Sequence, residues 1–316
     1  MTTPLAQQRA LANGAASVLL PNIGAVAISG PDRLKLIHSL TTQHVANLPA
    51  GESVENLVLS PQGRIEHQFG MIDDGDRAVL FSETATALGD WFNRMRFMMR
   101  VEIAALSGQV VGSFADAADA ATQFGASVSW RDPWAEATGL SYASQPYGGA
   151  AYPLTLHLVD TPPADALDAA TLTPLRIAAW RPQFSTEVDD RALPHELDLL
   201  RSAVHLNKGC YRGQETVAKV HNLGHPPRRL AFLHLDGFVP ASGALVRLEP
   251  EGKPVGRITS AAMHYEDGPI ALALLKRTTN PGAVLCVDDA DAPITASQTV
   301  IVSPDAGRTV QLPPRR

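Results

Sequence analysis

Residues 207–229 read NKGCYRGQETVAKVHNLGHPPRR, and their composition differs from that of the rest of the chain. The stretch holds Cys210, one of only 2 cysteines in 316 residues, together with three glycines. Glu215 is the only carboxylate against a group of cations, namely Lys208, Arg212, Lys219, Arg228 and Arg229. The whole chain is acidic, with a formal net charge of −6, which argues against a general binder of nucleic acid or anionic membranes. Recognition of a polyanion would therefore be local to this stretch.

The cysteine content and the hydropathy indicate a compartment. Cys210 and Cys286 match no zinc or cluster spacing, and two thiols cannot provide a disulfide framework. No segment approaches the roughly 20 apolar residues that a spanning helix needs, and the N-terminus lacks the order of a signal peptide. The sequence therefore predicts a soluble protein of the reducing cytoplasm, with Cys286 as a core thiol in a strand.

Cys210 itself is open to three interpretations. A free cysteine is often a buried structural residue. A reactive thiolate would be stabilised by Lys208 and Arg212 but opposed by the C-terminus of the helix predicted from residue 194 to Gly209. Metal binding with nearby histidines is weakly supported, because only a C-x10-H-x3-H spacing exists, and His205, His221 and His225 are better explained as surface or loop residues.

Hydrophobic periodicity outside this stretch predicts a mixed α+β chain. A strand at 24–30 leads into a helix, and alternating residues around Pro-Gln-Gly and Asp-Asp-Gly-Asp turns predict antiparallel hairpins. A strand-helix-strand pattern follows at 109–170, and the short strands after residue 226 predict a small closed barrel. The predicted organisation is a tail over 1–16, an α+β region over 17–225, a barrel over 226–305 and a tail over 306–316.

The common phosphate, zinc and serine-hydrolase motifs are absent, but KGCYRGQE at 208–215 resembles a known signature. It is similar to the K-G-C-[YF]-x-G-Q-E pattern of YgfZ-type folate-binding proteins, relatives of the T-protein (aminomethyltransferase) of the glycine cleavage system. ISGPDRLKLIHSLTTQHV with SPQGRI, LRIAAWRPQFSTEVDDRALPHEL and GRITSAAMHYEDGPIALALLKR also resemble segments of this family. The resemblance covers about residues 20–280.

The resemblance implies an α+β fold of three subdomains around a central channel. Residues 17–225 would form two interleaved, T-protein-like subdomains that bind folate, followed by an antiparallel β-barrel. The implied ligand is tetrahydrofolate or a one-carbon derivative, and the implied partners are iron–sulfur proteins or the cluster-assembly machinery, with no metal, nucleic acid or membrane. The leading hypothesis is a cytoplasmic tetrahydrofolate-binding accessory protein for assembly or repair of iron–sulfur enzymes.

The same resemblance assigns candidate residues. Cys210 would be the functional thiol in the catalytic role. The signature residues are Lys208, Gly209, Cys210, Tyr211, Gly213, Gln214 and Glu215. The residues expected along the folate channel are Arg176, Lys208, Tyr211, Arg212, Gln214, Glu215 and His67. A structural ion pair or a backbone brace is the alternative for Arg176, Gln214 and Glu215.

Departures from the family pattern bear on activity. The positions of the T-protein catalytic carboxylates are occupied by His67 and Gln68, so an active aminomethyltransferase would lack an acid/base group worth about 10²- to 10⁴-fold. Positions that hold folate-stacking aromatic residues in some relatives are Ile23 and Leu172 here. Two alternatives therefore stay open, a folate-dependent one-carbon transferase of the aminomethyl type and a folate-independent scaffold protein of the same fold.

Overall fold

Two antiparallel sheets and a closed barrel contain the strands of this chain. The computed structural model describes residues 3–115, 117–143, 146–290 and 292–310. The α-helices are α1 (Pro4–Ala12), α2 (Arg33–Leu40), α3 (Ala85–Met95), α4 (Ala117–Phe124), α5 (Leu172–Ala178), α6 (Phe184–Glu187) and α7 (Gln214–Leu223). The strands are β1 (Ser17–Leu19), β2 (Gly24–Ser29), β3 (Ser53–Leu59), β4 (Ile65–Asp73), β5 (Arg77–Ser82), β6 (Glu102–Ala105), β7 (Gln109–Ser113), β8 (Val128–Arg131), β9 (Thr155–Val159), β10 (Arg228–Leu235), β11 (Leu245–Arg247), β12 (Gly256–His264), β13 (Gly268–Lys276), β14 (Leu285–Val287) and β15 (Ile294–Val300). None of the described helices combines the length and hydrophobicity that crossing a membrane requires.

The first sheet has the strand order β3-β4-β5-β2-β6, and its strands pair antiparallel. Gly63 lies in the β3–β4 turn with φ 75° and Gly75 in the β4–β5 turn with φ 101°, conformations that favour glycine. Helices α2 and α3 pack on this sheet, with Ile37, Trp91 and Phe92 in one apolar core. The predicted hairpins in this part of the chain are therefore confirmed.

The second sheet has the strand order β1-β7-β9-β8, and α4 connects β7 to β8. This arrangement confirms the strand-helix-strand pattern predicted for 109–170. The segment 1–16 differs from the predicted tail, because α1 lies within it and Leu11 is fully buried. Leu11 belongs to the same apolar core as Val18 of β1 and Leu175 of α5, so burial of apolar surface holds this segment on the domain.

The α-helix predicted from residue 194 to Gly209 is wrong. Two short 3₁₀ helices, Pro194–Leu197 and Leu199–Arg201, replace it, and Asp198 between them has a φ of 56°. The buried Asp198 carboxylate accepts hydrogen bonds from the backbone N–H of Tyr142 and the hydroxyl of Ser141, which offsets its unfavourable backbone conformation. The signature cysteine consequently follows no helix C-terminus.

The C-terminal strands close into a barrel of order β10-β13-β12-β11-β14-β15, which confirms the barrel predicted after residue 226. Cys286 lies on β14 between the buried Leu285 and Val287 and is itself partly exposed. The expectation of a core thiol is wrong at this position, because alternate residues of a strand face opposite sides and the inward positions belong to its neighbours.

The segment after the barrel is in part held on the protein. His225 Nδ1 donates to the carbonyl oxygen of Ala306 at 2.8 Å. The backbone N–H of Thr309 donates to the carbonyl oxygen of His221 at 3.1 Å. The beginning of the predicted tail over 306–316 therefore differs from a free tail. Residues 311–316 lie outside the described residues.

Candidate functional site

A cavity of about 380 Å³ lies among the two sheets and the segment that carries α5 and α6. Its apolar and aromatic lining includes Leu20, Ile23, Phe81, Trp130, Tyr152, Leu154, Leu156, Leu172 and Phe184. Its charged and amide lining consists of Asn22, Glu55, Gln68, Glu83, Asp132, Arg176, Arg181 and Gln183. A concave, largely apolar surface with a few converging polar groups is typical of a small-molecule site.

One guanidinium holds two buried carboxylates at this cavity. Arg181 lies 2.7 Å from Glu55 and 3.0 Å from Asp132, and all three side chains are buried. Burial raises the pKa of Asp132 to about 6, although Arg181 opposes the shift and Glu55 adds to it. Burial alone would lower the pKa of the Arg181 guanidinium, but Asp132 and Glu55 raise it above its ordinary value. Arg181 therefore stays charged, and its two partners share one positive charge.

Arg176 joins the cavity to the barrel. Its guanidinium donates to Glu187 at 2.9 Å, to the hydroxyl of Ser260 on β12 at 2.6 Å and to the carbonyl oxygen of Arg181 at 2.8 Å. Arg176 is the residue of the predicted folate channel that lines this cavity in the described part of the chain. Arg176 therefore fits both interpretations made from the sequence. It is a structural ion pair that joins three segments, and it also lines the cavity.

Gln68 of β4 has a buried carboxylate beside it on the neighbouring strand. Gln68 lines the cavity and donates through Nε2 to Glu55 of β3 at 2.6 Å. Ser202 donates to the second oxygen of Glu55 at 2.5 Å. Glu55 was not predicted from the sequence, because it stands beside the polar Asn56 in β3 and its burial becomes visible only in the folded chain. The cavity therefore keeps an acidic group despite Gln68.

His67 does not line this cavity among the described residues. Its Nδ1 contacts the hydroxyl of Thr84 at 2.7 Å, and burial lowers the pKa of the imidazole. Ile23 and Leu172, the positions with aromatic residues in some relatives, both line the cavity. The two positions selected from the sequence as stacking positions are therefore near one another in the folded chain.

Cys210 is exposed, and it precedes a helix N-terminus. Gly213 caps α7 with a φ of 83°, a conformation available to glycine at low cost. Neither Cys210 nor the other cysteine forms a disulfide. The helix follows Cys210 in the chain and does not precede it, so the helix C-terminus that the sequence predicted just before the thiol is absent.

Lys208 anchors residues 208–213, which we call the thiol segment, to α2. Its ammonium donates to the carbonyl oxygens of His38 at 2.5 Å, Thr41 at 2.6 Å and Gln43 at 3.0 Å, where the last turn of α2 leaves acceptors free. Burial lowers the pKa of Lys208 to about 8. The buried ring of Tyr211 lies 5.2 Å from Lys208 Nζ, measured to its centroid, and belongs to the main apolar core. These two signature residues hold the segment in place and do not line the cavity.

The remaining signature side chains are also placed outside the cavity lining. Arg212 forms two hydrogen bonds with Glu66 of β4, at 2.7 and 3.2 Å. Gln214 donates to the carbonyl oxygen of Lys208 at 3.2 Å, and Glu215 lies exposed in the first turn of α7. For Gln214 the structure therefore shows the backbone brace that the sequence analysis kept as an alternative.

Two sequence motifs meet at two glycines. A Cβ at Gly213 would lie 2.6 Å from the carbonyl oxygen of Ser60, and one at Gly63 would lie 2.8 Å from Cβ of Thr216. The β3–β4 turn and the start of α7 thus approach so closely that neither glycine has room for a side chain. This contact places the SPQGRI and KGCYRGQE motifs side by side.

The cations of 207–229 do not converge on one ligand. Arg228 binds Asp189 and Glu196, and the buried Arg229 donates to Gln298 at 2.6 Å. Together with the partners of the other signature cations, these contacts account for most of the local positive charge. Four of the five cations in this stretch therefore already have internal partners, and recognition of a polyanion there stays a prediction.

A second cavity, of about 910 Å³, adjoins residues 205–207. His44 and His205 are among its lining residues, and their ring centroids are 5.3 Å apart. His38 stacks edge-on against His44 at 4.7 Å. Within the described ranges, no group of histidine, cysteine, aspartate or glutamate side chains has an arrangement that could hold a metal ion.

The fold is that of the aminomethyltransferase of the glycine cleavage system. The chain superposes on aminomethyltransferase T from Bartonella henselae with a TM-score of 0.74, covering 93% of this chain and 87% of that one at 15% identity. This likeness confirms the α+β architecture with its C-terminal barrel.

Two curated proteins are similar in sequence, and no family model matches the chain. A chloroplastic protein of Arabidopsis thaliana that is named as a transferase is 26% identical over 279 residues, or 78% of this chain. The mitochondrial iron–sulfur cluster assembly factor IBA57 of Mus musculus is 36% identical over 96 residues, or 29% of this chain. The matches span 62% of the Arabidopsis protein and 25% of the mouse protein, so both relatives extend well beyond the matched part.

Proposed function

We propose that this protein binds a reduced folate in the 380 Å³ cavity and supports the assembly or repair of iron–sulfur proteins through Cys210. The observation that carries the proposal is the cavity itself, in which an aromatic and aliphatic wall meets Glu55, Gln68 and Arg181 within an aminomethyltransferase fold. The similarity to an iron–sulfur cluster assembly factor supports the second half of the proposal.

The chemistry of the cavity lining fits a reduced folate. Such a ligand joins a flat heterocycle with several N–H donors to an aromatic ring and a glutamate tail. Trp130 and Tyr152 provide surfaces for flat rings, and Glu55 and Asp132 are acceptors that share the single charge of Arg181. Carboxylate oxygens can accept more than one hydrogen bond each, so an N–H-rich edge would find acceptors there, whereas a second anion would be repelled.

The exposed thiol fits a role toward a macromolecule. Cys210 lies at the surface ahead of α7, between the anchored Lys208 and the helix cap Gly213. A thiol in that position is accessible to another protein without any movement of the core. Its accessibility therefore agrees with an action on a protein-bound species, and folate in the interior would act at a separate place.

Calorimetric titration with tetrahydrofolate under reducing, anaerobic conditions tests the first half. We expect saturable binding to the wild-type protein and about tenfold weaker binding or more for Glu55→Gln, because a hydrogen bond to a charged group contributes about 1.5–3 kcal/mol. Glu66→Gln is the matched control on the adjacent strand, since its carboxylate pairs with Arg212 outside the cavity. Absence of saturable binding at high micromolar ligand would contradict the proposal and favour the folate-independent scaffold.

A folate-dependent transferase is the second candidate, and Glu55 is the observation that favours it. The carboxylate beside Gln68 gives the cavity an acidic group close to the expected catalytic position, and one relative is named as a transferase. Incubation of the pure protein with tetrahydrofolate and an aminomethyl donor distinguishes the two. Turnover that disappears in Glu55→Gln would establish the transferase, whereas binding without turnover supports the accessory role.

A further inference from the structure

The turn that follows α3 exposes a group of apolar side chains. Residues 94–100 read RMRFMMR, and we refer to them as the basic turn. Phe97 is 88% exposed, Met98 83% and Met95 42%. Single exposed apolar residues are normal on protein surfaces, but a continuous group of large ones marks an interaction site more often. The basic turn therefore requires an explanation that burial of α3 does not provide.

The backbone of the basic turn is held in one conformation. Phe97 has a φ of 46°, which is unfavourable for a bulky residue. The N–H of Met99 donates to the carbonyl oxygen of Arg96 at 2.9 Å, and Arg100 donates to Asp32 through both backbone and side chain. A strained aromatic residue on a braced turn is presented to solvent in a fixed orientation, which lowers the entropy cost of binding.

The charge of the basic turn contrasts with that of the whole chain. Three arginines and no acidic residue occur in seven positions, whereas the chain has a net charge of −6. Arg94 and Arg96 form no ion pair with any residue that the structure describes. Arginine, methionine and phenylalanine are the residue types enriched where proteins bind proteins. Both the composition and the free positive charge are therefore complementary to an acidic protein.

The geometry points to the basic turn as a docking site for a partner protein that is acidic and has an apolar recess for Phe97 and Met98. An anionic membrane fits less well, because the acidic remainder of the chain would be repelled from its surface.

A photo-crosslinking residue in place of Phe97 tests the site in the full-length protein. Phe238 is the matched control position, since it is 72% exposed and lies on the barrel. We expect cross-linking in cells of the source organism to one acidic protein from position 97 and not from position 238. Loss of any discrete product at 97, an equal product at 238, or a product with a second copy of this chain would overturn the proposal.

Binding measurements with the purified partner complete the test. Phe97→Ala should raise the dissociation constant about tenfold, as expected of a central aromatic contact. The double variant Arg94→Glu and Arg96→Glu should raise it further and make binding less dependent on salt. Phe238→Ala should change it less than about twofold. Unchanged unfolding curves would show that the exposed substitutions leave the fold intact. Binding that ignores Phe97, or Phe97-dependent binding to phosphatidylserine vesicles in place of the protein, would refute the assignment.

Discussion

The cavity and the thiol segment use their charged residues in different ways. At the cavity, Arg181 lies within salt-bridge distance of Glu55 and Asp132, and all three are buried. In the thiol segment, Lys208 binds carbonyl oxygens at the end of α2 and Arg212 binds Glu66 of β4. Cys210 lies between these two anchored residues and is exposed. A recognisable sequence signature can therefore consist mainly of residues that position one side chain, whereas a binding cavity is assembled from scattered and individually ordinary positions.

The largest expected effect separates the two regions by function. Cys210→Ala should abolish the ability of the protein to restore a cluster-dependent enzyme in cells that lack it, because the exposed thiol is the reactive group of the proposed function. Cys286→Ala should retain that ability, since Cys286 lies on the barrel. Enzyme activity in complemented cells measures both variants. Equal losses for the two cysteines would remove the special role of the thiol segment.

The next effect concerns stability at the cavity. Arg181→Met leaves Glu55 and Asp132 buried without their common counter-ion, and breaking a buried ion pair in this way costs about 3–5 kcal/mol of unfolding free energy. Arg77→Met breaks the exposed pair with Asp74 and should cost less than about 1 kcal/mol. Urea unfolding measures both variants. Similar values for the two would mean that the buried network does not stabilise the cavity.

A smaller effect should appear as a pH dependence. His157 is buried on β9 between the hydroxyls of Ser113 and Ser129, and burial lowers its pKa from 6.5 to about 4. The unfolded chain then binds a proton that the folded chain excludes, so stability is present above pH 6.5 and is lost as the pH falls toward 4.

Comparison of variants isolates this contribution. His157→Asn should reduce the loss of stability between pH 7 and pH 4.5 by about 1–2 kcal/mol. Unfolding free energies at several pH values would test the difference, and parallel slopes in wild type and His157→Asn would contradict it.

The smallest effect sharpens the description of the cavity wall. Ile23→Tyr should tighten tetrahydrofolate binding by about two- to tenfold, because a ring contact contributes about 0.5–1.5 kcal/mol beyond its buried area. Leu223→Tyr, at an exposed position on α7, provides the control with the same new side chain. The same calorimetric titration measures both. Weaker binding for Ile23→Tyr would show that the ligand does not lie against this part of the lining.

Much of the fold could be predicted from local pattern. Alternating residues and turn glycines such as Gly63 and Gly75 identified the hairpins, and the closely spaced strands after residue 226 identified the barrel. The helix predicted from residue 194 failed because Asp198 adopts a left-handed conformation that divides the segment into two short 3₁₀ helices. The apolar residues there are buried in an irregular segment and not on one helical face. Apolar periodicity records burial, and it does not distinguish these two ways of achieving it.

The candidate site was predictable only in part. Cys210 and Arg176 could be selected because they stand in recognisable motifs. Glu55 and Asp132 could not, because their importance depends on Arg181, which lies far from both in sequence and meets them only after folding. The position of the helix relative to Cys210 was also predicted incorrectly. The sequence pattern favoured a helix before the thiol, whereas α7 begins after it.

The close contact between Gly63 and Gly213 gives the β3–β4 hairpin two duties. Its strands carry Glu55 and Gln68 along the cavity, and its turn supports the backbone just after Cys210. The same hairpin therefore borders both the cavity and the backbone beside the exposed thiol, so an insertion or deletion in it would alter both places together.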